Sequence, residues 1–163
     1  MKASNIANSN RSDEKSERID LGTQYATFFI GSLFFGVDVL KVQEVLRAQE
    51  MTQIPLAPKV IKGLINLRGQ IVTAIDMRER LNLAPISTDA KPMNVVIRSE
   101  EGAVSLLVDE IGDVINVESV WFEAPPVNMP AAQRSLVNGV YKLDGRLLLV
   151  LNTEKTLEVA AEA

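Results

Sequence analysis

The chain has no cysteine and no histidine among its 163 residues. Without cysteine there is no disulfide, no thiol nucleophile and no thiolate ligand for zinc. Without histidine the usual general base near neutral pH and the imidazole metal ligand are gone as well. Carboxylates, lysines and serines could still support catalysis, but an enzyme is not the expectation, and neither a metal nor another cofactor is expected. A basic excess is also missing: 17 Lys and Arg stand against 21 Asp and Glu, for a net charge of −4. A binder of phosphate backbones needs the opposite balance, so no nucleic-acid partner is expected. No run approaches the roughly 18 apolar residues of a membrane span. Met1 to Asp20 holds no apolar run of signal-peptide length. The expectation is a soluble, cytoplasmic protein with no direct membrane insertion.

What is present suits a globular protein. The apolar fraction is 47% and the charged fraction 23%, enough of each for one ordinary domain or for two small barrels sharing a core. The stretch from Val60 to Leu81 returns as Leu136 to Leu157. Gly63 pairs with Gly139, Leu67 with Leu143, Gly69 with Gly145 and Leu81 with Leu157, always 76 residues apart. A second correspondence, Val42–Leu46 with Ile111–Ile115, runs at an offset of 69. The difference falls in the proline loop Pro125–Pro130 and marks a duplication with a loop insertion. The polar residues are not copied, most sharply at Arg68, whose counterpart is Asp144.

Residues 1–21 are polar and of mixed charge, the composition of a disordered tail. Tyr25–Ile30 and Leu33–Val37 read as a hairpin, with Asp38 capping a short helical turn and Val42–Leu46 a further strand. Pro58 is placed in a short helix that runs through Lys62 and ends at Gly63. Leu64–Leu67 and Gln70–Ile75 form a hairpin tipped by Arg68-Gly69, and Asp76 caps a helix from Met77 to Leu83 whose Glu79 and Arg80 face solvent. Asn94–Arg98, Ala103–Val108 and Leu147–Leu151 are strands, and Asn152 caps a last helix, Thr153–Leu157, with fraying over 158–163. Short strands, glycine turns and one short helix per unit predict an all-β fold of two small β-barrels. The units span about residues 22–84 and 91–157, with strand exchange between them left open.

With these residues placed, the chain resembles the CheW family of chemotaxis coupling proteins over about residues 22–157. The resemblance rests on Leu40–Val45 (LKVQEV), Ile61–Gly69 (IKGLINLRG), Ile75–Arg78 (IDMR) and Leu107–Val114 (LVDEIGDV), in the right order and spacing. It implies two SH3-like five-stranded β-barrels packed together. It further implies a non-enzymatic adaptor that joins the cytoplasmic tips of methyl-accepting chemoreceptors to the histidine kinase CheA, through the kinase's own CheW-like regulatory domain. Other CheW copies in rings are implied partners, and the place of work is the membrane-associated receptor array. At this length there is no room for the kinase's phosphotransfer and ATP-binding domains or for the receiver domain of the CheV variant.

The partner-binding residues expected on this basis are Val42, Glu44, Val45, Gly63, Asn66, Arg68, Asp113 and Val114. Arg68 leads, because its guanidinium is suited to forked hydrogen bonds at an interface while the repeat shows that the fold does not demand it. Val42 and Val45 read either as core or as one wall of a groove for a receptor helix, with Glu44 at the rim. Gly63 serves backbone geometry first, Asn66 orients the turn, and Asp113 and Val114 extend the site into the second unit. Trp121-Phe122 is expected to pack between the barrels or under the proline loop, with any exposed part a docking patch. Asp109, Glu110 and Asp113 lack the spacing of a calcium loop and read as surface charge. The alternative function is a small-molecule-binding or hydrolytic barrel that uses Asp109 and Asp113.

Overall fold

The computed structural model describes residues 22–87 and 89–161. The tail predicted over 1–21 lies outside the described residues. The described residues form ten strands in two five-stranded sheets, each an SH3-like barrel. The first barrel orders its strands β8-β1-β2-β10-β9 and the second β3-β6-β7-β5-β4. Here β1 is Thr23–Ile30, β2 Leu33–Asp38, β3 Val42–Leu46, β4 Ile61–Leu67 and β5 Gln70–Asp76. The others are β6 Met93–Ile97, β7 Val104–Val108, β8 Glu110–Val117, β9 Val137–Leu143 and β10 Arg146–Leu151.

The duplication is visible strand by strand, and the two repeats have exchanged parts. Each barrel takes its first hairpin from one repeat and its last three strands from the other, so neither barrel is a contiguous half of the sequence. The registers repeat as well. The parallel contact Leu149↔Phe35 of the first barrel matches Thr73↔Val104 of the second, and Ala26↔Val114 matches Val95↔Val45. Even the irregularities are copied: the β4–β5 ladder slips between Ile61 and Gly63, and the β9–β10 ladder slips between Val150 and Leu151, opposite Gly139 and Val137.

Three apolar clusters follow from this plan. One fills the second barrel around Ile65, Leu67, Val72 and Val96. Another fills the first around Tyr25, Phe34, Tyr141 and Leu148. The largest belongs to both sheets, joining Phe28, Phe35 and Leu149 to Ile75, Ile97 and Leu106. The apolar run of β10 has this cause, since Leu148 enters the barrel cluster while Leu149 and Leu151 enter the shared one.

Local capping chemistry is realised. The Asp38 side chain accepts from the Leu40 N–H, and Asp76 accepts from the Arg78 and Glu79 N–H groups at the start of helix α1 (Met77–Arg80). A short helix α2 spans Ala131–Arg134 in the second repeat. Asn152 accepts from the Lys155 N–H at the start of helix α3, which runs Thr153–Ala161, past the predicted end and through residues expected to fray. Residues 58–62 differ from expectation. Pro58 opens a turn, closed by the Ile61 N–H on the Pro58 carbonyl at 2.9 Å, and Ile61 already begins β4. Proline and glycine punctuate a turn as well as a helix, and pairing with β5 decides for strand. Arg80 is not simply solvated: its Nη2 donates to the Lys155 carbonyl of α3 at 2.8 Å.

An ion pair crosses between the barrels. Arg78 of α1 forks onto Asp109, Nε to Oδ1 at 3.0 Å and Nη2 to Oδ2 at 2.6 Å, while the Gly31 N–H of the β1–β2 turn donates to the same Oδ2. The side chains are only 20% and 15% exposed. Burial pushes the Asp109 carboxyl up, but the Arg78 fork and the Gly31 N–H outweigh it and hold the group below its usual value of 3.8. Removing the carboxylate with Asp109→Ala strands a largely buried guanidinium, with an expected loss of about 1–3 kcal/mol in urea unfolding near neutral pH. Because the folded-state pKa is depressed, this contribution is complete above the ordinary carboxylate value and is lost as pH falls through the folded one. The stability gap between wild type and Asp109→Ala should therefore close below about pH 4; a gap that persists unchanged at pH 3 would rule out the ion pair as its source.

Candidate functional site

The expected partner-binding residues divide into a group that the structure brings together and several that it does not. Glu44, Asn66 and Arg68 meet where the β4–β5 turn reaches the edge strand β3. Arg68 has φ 50° and Gly69 φ 88°, so both lie in the left-handed region that tight hairpin turns require. Arginine enters that region at a cost, and local contacts hold it there: Asn66 Oδ1 accepts the Gly69 N–H at 2.9 Å, and Arg68 Nη2 reaches both Glu44 carboxylate oxygens at 2.6 and 2.7 Å. The Glu44 contacts raise the arginine pKa further above its already high value. The Arg68 side chain is 73% exposed and Glu44 20%. Nη2 carries both contacts, which leaves Nε and Nη1 facing solvent as directional donors.

Val45 lies beside this pair and is 40% exposed. Val42 is partly buried and packs against the shared core, so it reads as core more than as groove wall. Gly63 is a crossing point. A Cβ there would stand 2.7 Å from the Thr52 carbonyl oxygen, and at its copy Gly139 a Cβ would stand 2.6 Å from that of Glu123. Thr52 pairs with Leu64, and Glu123 with Val140, in matching isolated bridges. Both glycines let a strand-like segment cross the barrel at van der Waals range. Asp113 and Val114 sit on β8 in the other barrel, exposed, with Val114 at 56%. No hydrogen bond or ion pair joins them to the Arg68 group among the described residues. They are instead its copies: the offset that maps Val42–Leu46 onto Ile111–Ile115 maps Glu44 onto Asp113 and Val45 onto Val114. The carboxylate–guanidinium pair of one barrel thus corresponds to two carboxylates, Asp113 and Asp144, in the other.

Other charged groups resolve differently from their sequence reading. Asp109 is no free surface charge, being held by Arg78 and Gly31. The clamp itself was not copied, since Arg78 corresponds to Glu154 and Asp109 to Leu40. An open depression of about 680 Å³ lies on that side, lined by Lys41, Ile71, Arg98, Glu154 and Leu157 among others, and neither Asp109 nor Asp113 reaches it. Trp121 is 67% exposed instead of packed away and belongs to none of the three apolar clusters; its indole N–H donates to Glu118 at 3.2 Å. Phe122 leans on Tyr141, ring centroids 5.3 Å apart.

A fused double barrel that carries a pre-organised, exposed charged pair at one edge has the build of a binding module. Comparison with known proteins specifies the family. The CheW-like domain model matches residues 24–161. The chain is 30% identical to the chemotaxis protein CheW of Klebsiella aerogenes over 137 residues, 84% of this chain and 82% of that one. It is 27% identical to the chemotaxis protein CheW of Bacillus subtilis, covering 86% and 90% of the two. The solved scaffolding protein TtCheW from Thermoanaerobacter tengcongensis superposes with a TM-score of 0.72 at 25% identity, over 80% of this chain and 88% of that one. The chain belongs to the CheW family and is a chemotaxis scaffold, not an enzyme.

Gly63 tests the division between scaffold and surface. Gly63→Ala drives a methyl group into the Thr52 carbonyl and should cost about 1–3 kcal/mol in denaturant unfolding. Arg68→Ala should leave the unfolding midpoint almost unchanged, because an exposed pair contributes little. The reverse ranking would make Arg68 a structural residue.

Proposed function

We propose that the chain couples the cytoplasmic tips of methyl-accepting chemoreceptors to the histidine kinase CheA at membrane-associated arrays, working from the cytoplasm and regulating the kinase without turning over a substrate. The observation that carries this reading is the Glu44–Arg68 group on the edge of the second barrel. It is pre-organised, exposed and not required by the fold, since the other barrel does without it. Spare guanidinium donors beside an exposed valine suit recognition of carbonyl or carboxylate groups on a protein partner, with apolar contact next to them.

Within the proposed site, Arg68, Glu44 and Val45 are the contact residues on the second barrel, while Asp113 and Val114 offer a different surface on the first. Asn66 fixes the turn. Val42 and Gly63 act through the fold, Val42 from the core side of β3 and Gly63 by admitting the Thr52 segment. The CheW-like regulatory domain of CheA is the expected kinase contact, and further copies of the chain are expected neighbours in rings. The hydrolytic alternative has less support: Asp109 is committed to Arg78, its carboxyl is held low, and neither Asp109 nor Asp113 lines the open depression.

Co-sedimentation with receptor signalling fragments and kinase, read together with kinase activity, tests the proposal. Arg68→Asp and Val45→Lys, both on exposed positions, should fold normally and weaken assembly by about tenfold or more, as loss of an interface anchor does. The exchange Glu44→Arg with Arg68→Glu restores the intramolecular pair with its charges reversed. It should remain defective if partners read the guanidinium. Rescue by the exchange would mean that the pair serves only the barrel, and wild-type assembly by both single variants would sink the site assignment.

A further inference from the structure

We propose that the buried Asn94–Ser105 pair is a positioning element for the Glu44–Arg68 group: it holds the point where the chain leaves β3 and so fixes one edge of the second barrel against the other. Asn94 and Ser105 are 1% and 0% exposed, in a barrel whose apolar cluster is otherwise aliphatic. Ser105 Oγ donates to Asn94 Oδ1 at 2.9 Å, which turns the amide so that its Nδ2 donates to the Arg47 carbonyl at 3.0 Å. The same carbonyl also takes the Gln49 side-chain amide at 3.0 Å, in an exposed and local bond. Polar groups buried among aliphatic ones cost desolvation, and satisfied in this way they specify one arrangement.

The repeat shows what the pair replaces. At the offset of 69, Asn94 stands for Tyr25 and Ser105 for Gly36. There a Cβ on the glycine would meet Tyr25 at 3.2 Å, so close packing takes the place of hydrogen bonds. In the first barrel β8 stays on its ladder through Asn116 and Val117, paired with Gln24 and Thr23. In the second, the ladder of β3 ends at Leu46↔Asn94, and the Asn94 side chain takes the next carbonyl. The chain then crosses to Thr52, whose bridge with Leu64 ties it to β4. β3 and β4 are the outer strands of this sheet, at opposite ends of its order. The crossing segment spans them, held at Arg47 by Asn94 and at Thr52 by Leu64, together with the side-chain contacts Glu44–Arg68 and Gln43–Gln70. The reach from Glu44 to Arg68 therefore depends on the Asn94 anchor. The inference rests on the coupling reading only for what the positioned group is used for.

Carbon-detected NMR of the arginine side chains in the full chain tests this, through rotation of each guanidinium about its Nε–Cζ bond. Asn94→Leu combined with Ser105→Ala removes both buried partners together, so neither is left unpaired and the barrel should keep its fold. Ser105→Ala alone is the milder variant and should act in the same direction. In the double variant Arg68 should rotate about threefold faster or more, as a directional charge-assisted bond loosens. Arg78, held by Asp109 in the fork between the barrels, should keep its wild-type rate. Gln49→Ala should leave both rates unchanged. An unaltered Arg68 rate would overturn the proposal, and so would an equal rise at Arg68 and Arg78, which a general loss of stability produces. Faster Arg68 rotation, with Arg68→Asp assembling like wild type, would uphold the positioning and end the coupling reading instead.

Discussion

The exchange of hairpins between the repeats makes each barrel depend on the other. β1 and β2 close on strands that the chain reaches only from residue 110 onward, and β3 to β5 close on a hairpin from the second repeat. Neither barrel can be completed from a contiguous half, and the largest apolar cluster draws on both sheets. The barrels are therefore expected to fold as one cooperative unit, with many long-range pairings to form before the core is repaid. The Arg78–Asp109 fork is a polar counterpart of the shared core. It ties α1 of one barrel to the start of β8 and the β1–β2 turn of the other. Its directional geometry fixes an orientation that apolar packing alone leaves softer.

Duplication followed by divergence separates scaffold from surface without any appeal to other sequences. Gly63 and Gly139 retain one job, admitting a crossing segment, and the bulged ladders around them retain one register. The capping oxygens of Asp76 and Asn152 are likewise equivalent. At the hairpin tips the copies part. Arg68 is held in a left-handed conformation by Asn66 and Glu44, whereas its counterpart is Asp144. In the first barrel a guanidinium appears two residues later, where Arg146 stacks 4.4 Å over the Phe34 ring. The same fold thus presents a directional donor at one edge and carboxylates at the other.

Much of this was legible locally. Caps at Asp38 and Asp76, the Arg68-Gly69 tip and the alternating strands are properties of a few neighbouring residues, and the resemblance to CheW rested on such pieces. The two offsets, 69 and 76, made the duplication readable as well. Partnerships across the chain were not. Arg78 and Asp109 are 31 residues apart, and nothing in their surroundings distinguishes a clamp from two solvated charges. Glu44 and Arg68 were each singled out, but their pairing depends on how the second barrel closes. The helix expected over 58–62 failed because proline and glycine mark turns and helix ends alike, and the crossing of Thr52 over Gly63 is a long-range fact. Size alone favours packing for Trp121-Phe122 and leaves a docking patch as the alternative for any exposed part; the 67% exposure of Trp121 fits the alternative, and nothing in the local sequence distinguishes the two.

The unlike edges bear on how such a scaffold can be organised. Identical edges would let one partner dock equally on either barrel and would favour two-fold contacts between like surfaces. Here the edge with Arg68 and Val45 can satisfy carbonyls and carboxylates, and the edge with Asp113, Val114 and Asp144 can satisfy cations. A carboxylate-bearing surface set against the Asp113 and Asp144 edge would meet like charge, a repulsive element that disfavours that placement. A chain whose fold is nearly symmetric can in this way distinguish its two sides through a few exposed residues that the fold leaves free to vary.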